Sequence, residues 1–485
     1  MKHVLWTRTI TAAAIVAALW TNARADTLQR EIDKLLSSKD AKGAVVGIRV
    51  LEADTGRVLY SSHADDILSA ASNAKIVTTA AALDLLGSQF ELTTTLVARG
   101  SAREGVLYGD LVLVGKGDPS MSTHWAPDVM EPLRRFASEV AASGIRVVTG
   151  DVVANDLYFD REFWCASWPD KQWNSWYQAP VGALAFNDNC VDVMVSPGEG
   201  EGAPAVLAYC PVVGYVSITN TIITTATKKK HGYAFARGKY DNNVTAKGFY
   251  YAKSEPSTDY FTVYDPSLYV AAALKAALEG AGIQVRGTTR RMEAAEDPAL
   301  VGARVLAVNR IRLGEVIKYC NVNSQNLYAE MILKTLGREV VGQGTFQGGG
   351  LAIGKFLEKL GIYAGTYAVA DGSGLSRETK YSAKIMTEVL SHMYKSPELV
   401  TFRDSLPLAG YNGTMQERLD EPEFRGKVRA KTGYIAGASG LSGYALAANG
   451  KALIFSMIFN NINGYRYSIR PLQDDICRVL VTSNP

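Results

Sequence analysis

Histidine is scarce in this chain. The five histidines, at positions 3, 63, 124, 231 and 392, are scattered over 485 residues, and no G-x-S-x-G motif accompanies them. A Ser-His-Asp triad needs a histidine placed beside its nucleophile, and an α/β-hydrolase needs that motif. The glycine-rich stretches lack the strand-turn-helix context of a phosphate-binding loop. The sequence therefore argues against triad hydrolases, P-loop enzymes and dinucleotide-binding enzymes.

Cysteine is equally sparse, with five residues and no C-x-x-C spacing. This scatter does not indicate a zinc site. In an oxidising compartment we expect one or two disulfides among Cys165, Cys190 and Cys210, with the pairing left open. We expect Cys320 to pack as a small hydrophobic residue.

The chain also lacks a strong charge imbalance. Its formal net charge is +3, and this falls to zero without residues 1–25, whose charged side chains are Lys2, Arg8 and Arg24. Nucleic acid is therefore excluded as a partner. The basic run at 228–231 is interpreted as a solvated loop. Beyond residue 25 no segment is long and apolar enough to span a bilayer.

The N-terminus carries the pattern of a secretory signal. Lys2 and Arg8 precede an apolar run over residues 10–20, and Ala23-Arg24-Ala25 fits a cleavage site. The run is shorter than the roughly 20 residues that span a bilayer, which disfavours an uncleaved anchor. We therefore expect an exported, periplasmic or cell-wall-associated protein that starts at Asp26 and has no stable membrane span.

The first chemical motif lies in ILSAASNAKIVTTAAALDLLG, residues 67–87. Ser72 and Lys75 are three residues apart, so on a helix they lie on one face and can share a proton. A serine hydroxyl needs such a base, and a lysine serves when burial and a second cation lower its pKa. The apolar residues from 76 to 86 predict a helix buried all round, with Ser72 at its start, where backbone NH groups favour an oxyanion.

Two further motifs follow in the chain. Ser324-Gln325-Asn326 opens a predicted helix, and Lys431-Thr432-Gly433 lies on a predicted strand followed by a glycine-rich turn and two more strands. Ser-x-x-Lys, Ser-x-Asn and Lys-Thr-Gly form the signature set of class A β-lactamases and penicillin-binding proteins. Each motif is common alone, but their ordered coincidence is specific.

The spacing of the motifs narrows the resemblance. Ser72 and Ser324 are 252 residues apart, whereas β-lactamases place their second motif only tens of residues after the first. The chain resembles the class C low-molecular-mass penicillin-binding proteins, a D-alanyl-D-alanine carboxypeptidase/endopeptidase family of the penicillin-binding protein 4 type. The stretches GKGDPSM at 115–121, SPGEGEGAPA at 196–205 and ADGSGLSR at 370–377 are similar to patterns of that family.

The resemblance implies an α/β (α+β) fold with a serine penicillin-recognising, transpeptidase-like catalytic domain. Its antiparallel sheet would be flanked by helices, over the discontinuous residues 26–88 and 306–485, after a signal peptide at 1–25. Residues 89–305, where the texture changes to strands and turns, are expected to form one or two mainly β inserted domains.

The resemblance also implies a mechanism without metal or organic cofactor. Ser72 would attack the penultimate D-Ala carbonyl of a peptidoglycan stem peptide ending in D-Ala-D-Ala, and Lys75 would accept its proton. Ser324 would relay protons to the leaving amine, and Asn326 would bind the substrate amide and help orient Lys75. Lys431 would lower the pKa of its neighbours. β-Lactam antibiotics would acylate the same serine as covalent inhibitors.

The implied binding residues surround the third motif. Thr432 would meet the terminal carboxylate, and the strand with Gly433 and Tyr434 would pair with the substrate backbone. The NH groups of Ser72 and Tyr434 would form the oxyanion hole. Arg377 would contact a side-chain carboxylate of the stem peptide, or else form an ion pair that stabilises its own loop.

Two positions depart from the usual motifs. Gln325 is the middle residue of Ser-x-Asn, which the family tolerates, and Tyr434 follows Lys-Thr-Gly where Thr or Ser is commoner. The bulky Tyr434 side chain beside the cleft is expected to affect which substrates the enzyme accepts.

Two alternative functions are also compatible with the same residues. A β-lactamase needs fast deacylation, and the large insertion argues against it. A non-catalytic cell-wall binding protein has no need of all three intact motifs.

Overall fold

The computed structural model describes residues 27–462 and 469–485 and divides them into two compact units. The first unit comprises residues 27–88, 317–325 and 353–485, and the second comprises residues 89–316 and 326–352. The predicted signal peptide at 1–25 lies outside the described residues. In the described part of the chain, none of the helices has the length and apolar character needed to cross a membrane.

The helices are, in chain order, α1 (27–36), α2 (Ala74–Leu86), α3 (Glu131–Ala142), α4 (Pro266–Gly280), α5 (Leu313–Asn323), α6 (Asn326–Val341), α7 (Phe346–Lys359), α8 (Ala383–Lys395), α9 (Leu399–Ser405) and α10 (Arg470–Thr482).

The strands are, in chain order, β1 (Val45–Glu52), β2 (Val58–Ser62), β3 (Leu68–Ser69), β4 (Glu91–Arg103), β5 (Val106–Lys116), β6 (Val147–Val148), β7 (Val152–Asn155), β8 (Cys190–Ser196), β9 (Val206–Cys210), β10 (Ser217–Thr225), β11 (Gly232–Ala236), β12 (Asn243–Tyr251), β13 (Ser257–Thr262), β14 (Gln284–Val285), β15 (Thr289–Arg291), β16 (Arg304–Arg312), β17 (Lys380–Tyr381), β18 (Val428–Ile435), β19 (Ala438–Leu446) and β20 (Ala452–Asn460).

The first unit is built on a five-stranded antiparallel sheet in the order β18-β19-β20-β1-β2. Successive β1 residues point to opposite faces of this sheet. Ile48 and Val50 join an apolar core with residues of α1 and α10. Arg49, which lies between them, pairs with Glu388 of α8 at 2.5 Å. Helices therefore cover both faces, and the predicted sheet flanked by helices is confirmed.

The second unit is mainly β. Its seven-stranded sheet runs β14-β6-β5-β4-β16, with β7 joined to β5 and β15, and two three-stranded sheets have the orders β13-β8-β9 and β10-β12-β11. The helix α4 begins at a left-handed Asp265, whose carboxylate accepts a bond from the Leu268 NH at 3.1 Å. A side-chain N-cap followed by Pro266 is a common way to start a helix. The basic turn at Lys228–Lys230 is exposed, in agreement with the predicted solvated loop.

The predicted disulfides are wrong, because all five cysteines have free thiols. For Cys190 and Cys210, which lie on neighbouring strands, the strand register explains why no disulfide forms. Cys210 in β9 lies opposite Asp192 of β8, and Cys190 in β8 lies opposite Thr262 of β13. Cys165 is buried outside any strand and has Ser167 Oγ 3.3 Å from its Sγ.

Candidate active site

The predicted nucleophile precedes a helix that is buried over most of its length. A 3-10 turn at Ala71–Asn73 leads directly into α2, whose residues 74–83 are all buried. Ser72 therefore lies in a turn two residues before α2 begins, close to the predicted helix start. Ala71 has a left-handed backbone with φ +49°, a strained conformation for a residue with a side chain. Ser72 follows it and is partly exposed, as a nucleophile must be.

Lys75 is fully buried one turn after Ser72. Its Nζ lies 3.1 Å from Ser72 Oγ and 2.9 Å from the carbonyl oxygen of Ser373. The first distance allows direct proton transfer between the two side chains. The second fixes the amine, because a buried lysine needs hydrogen-bond acceptors.

The loop that carries Ser373 is held in shape by the buried Asp371. Its carboxylate accepts bonds from the NH groups of Gly374 at 3.1 Å and Ser376 at 2.7 Å, and from Thr379 Oγ1 at 2.6 Å. This loop is the ADGSGLSR stretch, which sequence similarity singled out without assigning its main function. It provides an acceptor for Lys75.

Ser324 and Lys431 form a second serine-lysine pair. Lys431 Nζ lies 2.9 Å from Ser324 Oγ and 2.9 Å from the Thr432 carbonyl oxygen. Ser324 is left-handed, with φ +60°, between the end of α5 and the start of α6. The predicted polar triplet therefore lies at a break between two helices, and that break turns the Ser324 hydroxyl toward Lys431.

Lys431 is fully buried in β18. Burial, together with the positive charge of Lys75, holds the pKa of the Lys431 ammonium well below its ordinary value. The nearby Cys320 thiol, which is also fully buried, acts weakly in the opposite direction on that pKa. The two lysines are thus electrostatically coupled, and each ammonium disfavours a second positive charge close by.

Two glycines allow the sheet to approach the nucleophile. A Cβ at Gly433 would lie 2.8 Å from the carbonyl oxygen of Ala70 and 3.0 Å from the Ser72 nitrogen. A Cβ at Gly440, opposite Gly433 in β19, would lie 2.2 Å from the end of the Asn73 side-chain amide. Larger residues at either position would push the sheet away from the Ala71–Asn73 turn.

Asn73 ties the same turn to the sheet and is fully buried. With its amide oriented so that both ends are satisfied, Nδ2 donates to the Lys431 carbonyl oxygen at 2.5 Å. Its Oδ1 accepts from the Leu441 NH at 2.9 Å and from Ser442 Oγ at 3.2 Å. This network links the residue after the nucleophile to the strand that carries Lys431. The motif search did not find it, because Asn73 occupies one of the two unspecified positions of Ser-x-x-Lys.

The other predicted residues have the following surroundings. Asn326 lies in the second unit, at the start of α6, where its Nδ2 donates to the Tyr177 carbonyl oxygen at 2.8 Å. Arg377 is exposed and donates to the carbonyl oxygen of Ala436, in the turn between β18 and β19. Thr432 and Tyr434 are partly exposed in β18.

Within the described residues, no cluster of three or more His, Cys, Asp or Glu side chains could hold a metal ion.

The site residues of the first unit come from distant parts of the chain. Ser72 and Lys75 precede Ser324 by about half the sequence, and Ser373 and Lys431 come later still. The arrangement has a nucleophile beside a buried amine, and a second hydroxyl beside a second amine. It suits acyl transfer to serine without histidine or metal.

Comparisons with known proteins agree with this chemistry. The sequence profile of the D-Ala-D-Ala carboxypeptidase 3 (S13) family matches residues 28–472. A D-alanyl-D-alanine carboxypeptidase from Actinomadura sp. (strain R39) is 32% identical over 94% of this chain and 85% of its own. The D-alanyl-D-alanine carboxypeptidase DacB of Haemophilus influenzae is 25% identical over 89% of this chain and 88% of its own.

A solved structure supports the fold. The crystal structure of penicillin-binding protein 4 (dacB) from Haemophilus influenzae has a TM-score of 0.80 and 22% identity, and the match covers 92% of this chain and 98% of that one. This match confirms the predicted fold class, and the family profile together with the Actinomadura relative confirms the predicted serine-type carboxypeptidase activity. The chain belongs to the D-Ala-D-Ala carboxypeptidase 3 (S13) family.

Proposed function

We propose that the protein removes the terminal D-Ala of peptidoglycan stem peptides through an acyl-enzyme formed on Ser72. One observation carries this assignment of roles. The hydroxyl of Ser72 lies 3.1 Å from the buried amine of Lys75, while Lys431 lies 2.9 Å from Ser324 in the same unit.

Acylation begins with Lys75 in its neutral form. Ser72 Oγ attacks the carbonyl carbon of the penultimate D-Ala, and the hydroxyl proton passes to Lys75 Nζ. Both amines are fully buried, and two positive charges so close together disfavour each other, so we assign the single proton of the pair to Lys431 at this stage. The oxyanion that forms on the carbonyl oxygen is stabilised by the NH groups of Ser72 and Tyr434.

Departure of the leaving group needs a proton on its nitrogen. Ser324 gives its proton to the amine of the terminal D-Ala as the peptide C–N bond breaks, and Lys431 restores it at 2.9 Å. Water then attacks the ester carbonyl and passes a proton through Ser324 to Lys431, while Lys75 returns its proton to Ser72 Oγ as the ester C–O bond breaks. The shortened peptide leaves as an acid, and both lysines regain their starting protonation states.

The substrate lies along β18. The backbone at Gly433 and Tyr434 pairs with the extended peptide as an added strand would. Thr432 binds the terminal carboxylate. Arg377, exposed beside the turn at Ala436, contacts a carboxylate of the stem-peptide side chain.

The same site is open to β-lactams, since these drugs imitate the D-Ala-D-Ala terminus. A second Haemophilus influenzae penicillin-binding protein 4 structure, which contains a β-lactam and has a TM-score of 0.75, is consistent with such a ligand in this fold. We further propose that the enzyme is exported to the periplasm or cell wall and also cuts cross-links. Residues 26–88 and 306–485 would form the catalytic domain, with 89–305 inserted.

The test is mass spectrometry of the protein after exposure to benzylpenicillin. One stable adduct on the Ser72 peptide is expected in the wild type, none in Ser72→Ala, and an unchanged adduct in the exposed control Ser138→Ala. Rapid drug turnover without a lasting adduct would instead identify a β-lactamase. An adduct on another residue, or none with either the drug or a D-Ala-D-Ala peptide, would overturn the assignment.

A further inference from the structure

A buried hydrogen-bonded link joins α2 to α5 within the first unit. Asn321 of α5, three residues before Ser324, donates from Nδ2 to Thr79 Oγ1 at 3.1 Å. Thr79 lies in α2, and its hydroxyl donates to the Lys75 carbonyl oxygen at 2.6 Å. The helix that carries the predicted general base is therefore bonded to the helix that leads to the second serine.

The same amide also bonds to a third helix. Asn321 Nδ2 donates to Ser405 Oγ, in the last residue of α9, at 2.9 Å. The Ser405 hydroxyl in turn donates to the Phe402 carbonyl oxygen at 2.6 Å. Each hydroxyl has a single hydrogen, and both Thr79 and Ser405 use it on a backbone carbonyl. Their oxygens can therefore only accept from Asn321, which fixes the orientation of the amide.

Stability alone gives no reason for this polar chain. Asn321, Thr79 and Ser405 are all fully buried. Within the part of the chain that the structure describes, Asn321 Oδ1 is buried without a hydrogen-bond partner, which costs free energy. Apolar side chains of similar shape would avoid that cost, and such replacements are often neutral or stabilising. Directional hydrogen bonds impose a spacing between helices that apolar packing does not specify as sharply.

The spacing of α2 and α5 bears directly on the chemistry. Ser324 lies one turn after Asn321, and its Oγ is 2.9 Å from Lys431 Nζ. Proton transfer needs such short distances, and a displacement of about 1 Å can slow a reaction about 100-fold. We propose that Asn321 is a positioning residue, which holds α5 against α2 and so fixes Ser324 relative to the Ser72–Lys75 pair. This inference rests on the proposed function.

The experiment measures acylation by benzylpenicillin in stopped-flow, which separates the dissociation constant of the non-covalent complex from the acylation rate constant. The main variant is Asn321→Leu combined with Thr79→Val and Ser405→Ala, because removing all three members leaves none of their polar groups unpaired. Its unfolding midpoint in urea should be no lower than that of the wild type. The acylation rate constant should fall about 10- to 100-fold, whereas the dissociation constant should change less than about 2-fold.

Two single variants test the link by rescue. Thr79→Val keeps the shape of the side chain but cannot accept from Asn321, and it should lower the acylation rate constant at least about 5-fold. Thr79→Ser keeps the hydroxyl and should acylate within about 2-fold of the wild-type rate. A general loss of packing would affect Thr79→Ser at least as strongly, because serine is smaller than valine.

The matched control is Thr387→Val in α8. Thr387 is also a fully buried helical threonine, whose hydroxyl donates to the Lys384 carbonyl oxygen at 2.9 Å and accepts from Arg49 at 3.1 Å. Its acylation rate should match that of the wild type.

Wild-type acylation in the triple variant, or equal losses in Thr79→Val and Thr79→Ser, would overturn the proposal. If the triple variant does not fold, the two Thr79 variants decide. A wild-type protein that benzylpenicillin does not acylate would instead contradict the proposed function.

Discussion

Ser324 has a left-handed backbone, and its hydroxyl lies 2.9 Å from the Lys431 amine. The strained backbone and the hydrogen bond occur in the same residue, between two helices. Strain of this kind persists only where surrounding contacts impose it, and it is common at functional sites. Loss of the hydroxyl and relief of the strain can therefore be measured separately.

Two substitutions of Ser324 are expected to give equal loss of function but different stability. Ser324→Ala and Ser324→Gly both remove the hydroxyl, and each should slow acylation by benzylpenicillin by about 10²- to 10⁴-fold in stopped-flow experiments. Glycine adopts a positive φ without steric cost. The free energy of unfolding of Ser324→Gly should therefore be about 1 kcal/mol higher than that of Ser324→Ala. Acylation at the wild-type rate in both variants would contradict a role as proton relay.

Gly433→Ala should damage the site without removing any reactive group. The added methyl would press on Ala70 and on the Ser72 nitrogen, and such overpacking typically costs about 1–3 kcal/mol. We expect a lower free energy of unfolding by denaturant and at least a 10-fold slower acylation of Ser72. Gly200→Ala is the control, because a Cβ there meets nothing within 4 Å. Equal behaviour of the two variants would show that β18 does not need this close approach.

Lys431 should make stability depend on pH in a defined direction. Its pKa is well below the ordinary value in the folded protein, whereas the unfolded chain binds this proton up to about pH 10.4. Between these two values the unfolded state holds more protons, so the contribution of Lys431 to the free energy of unfolding rises with pH. The substitution Lys431→Met removes this pH-dependent contribution. The free energy of unfolding of the wild type minus that of Lys431→Met should thus increase from pH 6 to 9.

The control for this experiment is Lys395→Met, which replaces an exposed lysine. Its curve of unfolding free energy against pH should run parallel to that of the wild type. A parallel curve for Lys431→Met as well would mean that the buried amine keeps an ordinary pKa.

All five cysteines should react as thiols, with none held in a disulfide. Only Cys210 is exposed, while burial raises the pKa of Cys190 and raises that of Cys477 to about 12. We expect one fast-reacting thiol with Ellman's reagent in the native protein and five after unfolding without reductant. Cys210→Ser should remove the fast phase. Three thiols in the unfolded, unreduced protein would reveal a disulfide.

The sequence predicted those parts of the site that short motifs define. Ser72 and Lys75 face each other because helical periodicity places residues three apart on one side. The partners of these groups could not be found in this way. The carbonyl of Ser373 reaches Lys75, and the hydroxyl of Ser324 reaches Lys431, only through tertiary folding, across gaps of 298 and 107 residues. Backbone carbonyls, moreover, leave no trace in residue type.

The fold shows the same division between local and long-range information. Residue patterns predicted the strand that carries Lys431 and the two strands after it, because side-chain alternation is local. Strand register was not accessible, and the disulfide prediction failed for that reason. Cys190 and Cys210 are close in sequence and lie on paired strands, but the register places Asp192 opposite Cys210.

The place of β1 in the five-stranded sheet bears on when the enzyme gains activity during its synthesis. One edge of β1 pairs with β2, which follows at once, and the other pairs with β20, about 400 residues later. A ribosome therefore releases the nucleophile long before the strand that completes its sheet. The growing chain cannot hydrolyse peptide until almost all of it has been made, and late closure of such distant contacts also predicts slow folding.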